Sequence, residues 1–226
     1  MRRFMRMFWL TLLVIGGLFV YRNYDYLRVN FWPLVEQKIA QVTSQKDQTA
    51  DSTNTAPVGT TEDDAVTPVE SIVAETKLSN VYYYVFEDNA PASVRNVFEE
   101  AVVIYNETGL VELKSGTPAD TENKITFGIY TNEEAANQNG LSELGRGGPN
   151  IIKYTGWTSY VVNRGSARLN LAGTNAVRLS VAIHELGHVL GLAHSTNRNS
   201  VMYPIDQGKT GLQDVDIRAL QTIYAN

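Results

Sequence analysis

Apolar positions along the chain fall into three regimes. Met7 to Tyr21 is an uncharged run, apolar apart from Thr11 and two glycines, and Arg2, Arg3 and Arg6 precede it. From Gln41 to Thr76 the pattern vanishes: this stretch carries eleven Ser or Thr, seven acidic residues, one lysine and no aromatic side chain. Beyond Leu78 periodic patterns return. Val81–Phe86 is a block of β-formers and predicts a buried central strand. Pro91 suits the start of a helix, and Val94, Val97, Phe98, Ala101, Val102 and Tyr105 recur at helical spacing, so an amphipathic helix is predicted to end near Gly109. Lys124–Tyr130 predicts a second strand, with Tyr160–Val162 and Ala167–Leu171 as weaker ones. Asn139, Gly140, Gly145, Gly147, Gly148 and Pro149 mark a loop between them. A second helix is expected from near Thr174 or Asn175, and a third over Gln213–Tyr224. This order of elements implies an α/β or α+β layer fold around one twisted sheet.

The first two regimes define the organisation upstream of the fold. A basic start followed by an apolar run is the pattern of an export signal or signal anchor, and the residues after it lack the small side chains that cleavage needs. Residues 1–24 are therefore read as a retained membrane anchor, with a cleaved, secreted form as the alternative. The three leading arginines place the N-terminus in the cytoplasm and the remainder outside. Residues 25–40 form a juxtamembrane segment in which Tyr26, Phe31 and Trp32 suit the lipid interface. Residues 41–77 are read as a disordered acidic stalk, because they hold too little apolar surface to offset their ordering entropy; a propeptide is the other possibility. The folded domain is expected over 78–226.

Composition narrows the function. A net charge of −5 from 19 basic and 24 acidic residues offers no general attraction for nucleic acid phosphates. The absence of cysteine removes disulfides, thiolate nucleophiles and thiolate metal ligands at once. All three histidines of the chain, His184, His188 and His194, fall within eleven consecutive residues. Three randomly placed histidines would take this spacing about once in ten thousand chains. Histidines four apart on a helix share a face and can share a metal ion. Gly191 can adopt the left-handed conformation that ends the helix and returns the chain, delivering His194 as third ligand. Three nitrogen ligands leave a tetrahedral position open, which is the arrangement of a catalytic zinc. Glu185, beside the first ligand, is placed to take a proton from water, so hydrolysis of an amide is the chemistry implied. Glu133, Glu134 and Glu143 are read as solvated surface, and calcium is left open.

The string from His184 to His194 resembles the metzincin zinc-binding consensus, and Ser200–Pro204 resembles that group's Met-turn. Ser195 after the third ligand, Tyr203 and Pro204 after the methionine, and the pattern Leu212, Asp216, Ile217, Leu220, Ile223, Tyr224 are similar to matrixins in particular. The resemblance implies a twisted mixed sheet with an active-site helix, an amphipathic backing helix and a C-terminal helix. It implies one catalytic zinc on His184, His188 and His194, with Glu185 as base. Met202, Gly191, Tyr203, Pro204 and Asp216 would be supporting residues, Asp216 anchoring the Met-turn. It implies an extended polypeptide substrate bound antiparallel to an edge strand, for which Ala167–Leu171 is the sequence's candidate, and a side-chain pocket partly walled by residues after Met202. The expected protein is a monomeric zinc endopeptidase held at the cell surface and acting in the extracellular matrix. The alternative is a silent matrixin-like module that binds or adheres without cleaving. Two departures from vertebrate matrixins stand out: no propeptide cysteine exists to cap the zinc, and no histidine is left for a second, structural zinc. Val215 also occupies the place of the acidic residue that pairs with their freed N-terminal amine.

Overall fold

A computed structural model of the 226-residue chain describes residues 66–133, 143–173 and 175–225, all within the unit Gly59–Asn226. The anchor over 1–24, the juxtamembrane segment over 25–40 and the stalk up to residue 65 lie outside the described residues, as do Glu134, Asn139, Gly140 and Thr174. Among the described residues no helix is long and apolar enough to cross a membrane.

The elements run α1 (Ser71–Ala74), β1 (Val81–Phe86), α2 (Ala92–Glu107), β2 (Glu112–Ser115), β3 (Asn123–Tyr130), β4 (Gly145–Gly148), β5 (Ile151–Tyr154), β6 (Tyr160–Asn170), α3 (Leu179–Val189) and α4 (Asp214–Tyr224). The six strands form one mixed sheet in the order β2-β1-β3-β6-β4, with β5 also paired to β6. β2, β1, β3 and β6 are parallel neighbours, and β4 and β5 are antiparallel to β6. Alternation sends Tyr82, Ile125, Phe127, Ala167 and Leu169 into the core, all of them fully buried. Against that face lies the apolar stripe of α2, where Phe98 stacks on Phe127 with ring centroids 4.4 Å apart. This is the α/β layer fold with a twisted sheet and three principal helices that the pattern implies.

Buried polar groups tie the sheet to the end of α3. The Tyr224 hydroxyl donates to the Leu190 carbonyl at 2.9 Å and so receives the Tyr82 hydroxyl at 2.8 Å. Asn163 donates from its side chain to the Val189 carbonyl at 2.8 Å, and its backbone N–H donates to Asn123. Burial pushes the Tyr82 phenol up to about 12, so the pair stays neutral and hydrogen-bonded.

Three expectations change. The two weak strand candidates are one strand, β6, which is flanked by β3 on one side and by β4 and β5 on the other. Ala167–Leu171 is therefore not the edge; β4 is the outermost strand there. β4 itself arises from Gly145–Gly148, read from composition as loop. A methyl at Gly147 would sit 2.2 Å from the Glu185 carbonyl oxygen, and one at Gly145 would sit 2.6 Å from the Glu185 carboxylate. The glycines let a strand lie directly on α3, which turn propensity alone does not reveal. Finally, residues 66–77 do not behave as stalk: Thr67, Val73 and Thr76 are buried, and α1 packs within the domain. Average polarity hid the few side chains that bury.

The contact of β4 with α3 can be probed directly. Gly147→Ala is expected to lower stability by about 1–3 kcal/mol, since backbone must move to admit the methyl. Gly148→Ala meets nothing within 4 Å, and should be neutral or stabilising by under about 1 kcal/mol. Urea unfolding of the two variants checks the difference.

Candidate metal centre

α3 carries His184 and His188 one turn apart and ends as the sequence predicts. The Leu192 N–H donates to the Gly187 carbonyl at 2.9 Å and the Gly191 N–H to that of His188 at 3.0 Å, with Gly191 at φ 102°. This paired closure needs a left-handed residue, and glycine adopts it without a Cβ clash. The reversed chain brings His194 back to the helix face, where its ring centroid lies 5.3 Å from that of His184 and 4.7 Å from that of His188.

One nitrogen from each of the three rings lies within 4.8 Å of the others. The orientation of two rings is fixed from behind: His184 Nδ1 donates to the Val201 carbonyl at 2.8 Å and His188 Nδ1 to the Leu192 carbonyl at 2.9 Å. With the proton on Nδ1, each Nε2 presents a lone pair toward the shared space. These two Nε2 atoms are 3.2 Å apart, close to the ~3.4 Å that two ligands at ~2.1 Å subtend on a tetrahedral ion. Burial holds His184 down to about 3 and keeps its ring neutral, the form that ligates. The donor set therefore fits a zinc ion.

Glu185 is buried under β4 at Gly145. Burial is the main reason its carboxyl rises to about 7, with His188 pulling it down and Glu143 pushing it up. Glu143 is not free surface: it accepts hydrogen bonds from the Tyr130 hydroxyl and from Arg146 Nε, the latter at 2.5 Å, and Arg146 lies over the Tyr130 ring. Glu133 is exposed, and nothing among the described residues gathers these acids into a cation site.

The turn after His194 lies beneath α3. Met202 is fully buried, and a methyl placed on Gly187 would be 2.5 Å from its sulfur. Asp216, fully buried in the first turn of α4, accepts from the Ser200 hydroxyl at 2.5 Å and from the Val201 N–H at 3.1 Å. It also accepts the Gln213 N–H at 3.0 Å, closing a capping box. Ser200 receives the Met202 N–H at 2.9 Å. Ser195, next to the third ligand, donates its N–H to the Met202 carbonyl at 3.0 Å. Tyr203 is partly buried with Arg198 over its ring, and Pro204 is exposed. The structure thus gathers His184, His188, His194, Gly191, Met202 and Asp216 around one centre, with Glu185 beside it and Tyr203 and Pro204 at its margin. Sequence reasoning passed over Tyr130 and Arg146 near Glu185 and read Glu143, which pairs with both, as solvated surface. A signal was available in Glu143 and Arg146, which stand at an ion-pairing spacing of three.

With this geometry in place, comparison with known proteins is informative. The matrixin family model matches residues 77–225, and the chain belongs to that family. Metalloendoproteinase 2-MMP of Arabidopsis thaliana is 31% identical over 153 residues, covering 62% of this chain and 40% of that protein. The hatching enzyme of Paracentrotus lividus is 32% identical over 115 residues, covering 46% of this chain and 17% of that protein. Matrilysin of Felis catus is 50% identical over 50 residues, covering 20% of this chain and 19% of that protein. The chain thus spans 40% or less of the length of these relatives.

Asp216→Asn keeps the side chain's size and loses one acceptor oxygen. It is expected to cost about 2–3 kcal/mol, because a buried donor of the Met-turn or the cap loses its partner. Chemical denaturation of the metal-free protein checks this.

Proposed function

We propose that the protein is a zinc-dependent metalloendopeptidase. The observation that carries this reading is the convergence of three imidazoles, two with their lone pairs aimed by main-chain carbonyls, beside a buried carboxyl held close to neutral pH. His184, His188 and His194 would hold the zinc ion, which when bound would supply acidification of water and polarisation of a carbonyl. Glu185 takes the proton of the attacking water and passes it to the amide nitrogen as the C–N bond breaks, leaving a carboxylate and an amine. Burial under β4 keeps its basicity near that of its task, since a carboxyl of ordinary acidity would be a poor acceptor at pH 7.

The substrate proposed is an extended polypeptide laid along β4, whose outer edge has no strand partner among the described residues. Backbone hydrogen bonds of that kind give affinity with little dependence on side chains. Tyr203, Pro204 and the exposed Ile205 follow Met202 and are the proposed wall of a side-chain pocket. The apolar run Met7 to Tyr21 behind three arginines supports a domain tethered at the outer face of a membrane, acting on extracellular proteins.

Glu185→Gln should retain zinc at full stoichiometry while lowering peptide turnover by at least about 100-fold. Digestion of an unbiased peptide library, followed by mass spectrometry of the new termini, measures that loss and yields the side-chain preference. Treatment with a zinc chelator should abolish cleavage and added zinc should restore it; cleavage that survives complete metal removal would exclude this mechanism.

A further inference from the structure

Residues 67–73 precede the part of the chain that the family model matches, and their composition marks them as spacer. They nevertheless lie across the supports of all three histidines, Glu70 Oε1 standing 3.7 Å from His188 Nδ1. The Thr67 N–H donates to the Val215 carbonyl at 3.2 Å. Its hydroxyl is buried and donates to Asp216 Oδ1 at 2.6 Å, with its oxygen 2.9 Å from that of Ser200. The Pro68 carbonyl accepts the Ala193 N–H at 2.8 Å, the Glu70 N–H donates to the Gly191 carbonyl at 2.8 Å, and Val69 bridges Leu192 in antiparallel fashion. Val73, fully buried, closes over Gly191, where an added methyl would come within 2.8 Å of its side chain.

These contacts reach the histidines by two routes. His194 stands between Ala193, whose N–H is held by Pro68, and Ser195, whose N–H is held by Met202, so the chain is pinned on both sides of it. His184 is reached through side chains: Thr67 grips Asp216, Asp216 receives the Val201 N–H, and the Val201 carbonyl receives His184 Nδ1.

We propose that residues 67–73 form a strap that positions the metal ligands, and that the Thr67 hydroxyl is its positioning residue, acting through Asp216 and Val201 on His184 and through the Pro68 and Glu70 backbone on the loop bearing His194. The inference rests on the metal-centre reading above. Its grip is a neutral hydroxyl and an amide N–H of a continuous chain, so the centre is complete without any cut upstream of Thr67. A partner that orients a ligand's other ring nitrogen typically changes metal affinity by about 10 to 100-fold when lost. Thr67→Val keeps shape and removes the donor, whereas Thr67→Ser keeps the donor and removes a methyl.

The test uses the full-length chain in detergent, shown by intact mass to be uncut. Zinc affinity is measured by competition with a chromophoric chelator, and the visible spectrum of the cobalt-substituted protein reports ligand geometry. Thr67→Val should weaken zinc binding by about 10-fold or more and shift the cobalt bands. Thr67→Ser should restore affinity to within about 3-fold of the wild type and restore the bands. If Thr67→Val does not fold, Thr67→Ala takes its place in the same comparison. A valine variant with wild-type zinc affinity and cobalt spectrum, losing only thermal stability, would show that Thr67 merely packs and would overturn the proposal. So would a serine variant as weak as the valine one, or a wild-type chain that binds zinc only after cleavage upstream of residue 77. A wild-type chain that binds no zinc in either form overturns the metalloprotease reading together with the strap.

Discussion

Two N–H bonds organise this molecule. An imidazole can ligate only through a nitrogen that has no proton, and the rings of His184 and His188 are committed to one tautomer because their Nδ1 protons are donated to the Val201 and Leu192 carbonyls. Those carbonyls must then be held still, and much of the C-terminal half of the domain does so. Val201 belongs to the turn fixed by Asp216, and Leu192 to the closure that Gly191 permits at the end of α3. Leu190, two residues earlier, is fastened to the sheet side of the core through Tyr224 and Tyr82. A small error in any of these supports turns a ring, and a turned ring aims its lone pair elsewhere.

The surroundings of Glu185 follow a different logic. The rings of His184 and His188 are held by hydrogen bonds, whereas the carboxyl is set by exclusion of water beneath a strand that has no side chains at its point of contact. β4 contributes little volume to the core, yet it covers the carboxyl, and its outer edge has no strand partner among the described residues. One short glycine-rich strand therefore faces both the Glu185 carboxyl and the edge along which a peptide is proposed to lie. A bulkier strand would have to stand further off, and both distances would change together.

Much of the centre could be seen in the sequence because its chemistry is local. His184, His188, Gly191 and His194 lie within one helix and its return, so spacing alone fixes their relation, and α2 was equally plain from its apolar period. What escaped was decided by distant partners. Tyr160–Asn170 is one strand because β5 pairs its first four residues and β3 the rest, not because its middle, Asn163–Ser166, favours extension. Gly145–Gly148 is a strand because α3 waits beneath it. Thr67 and Val73 are buried because Asp216 and Gly191 receive them, and neither contact leaves a trace in the polarity of residues 66–77.

The hydrogen bond between Thr67 and Asp216 joins positions 149 residues apart, nearly the full span of the domain. Contacts of such sequence separation form late, since the loop they close must first be paid in entropy. Helix α4, which carries Asp216, also follows every other described element along the chain and so is synthesised after them. A nascent chain that stops short of α4 thus holds the helix with two histidines but not the buttress that aims them. If the folded domain is a protease, biosynthesis itself delays its competence until α4 has been delivered.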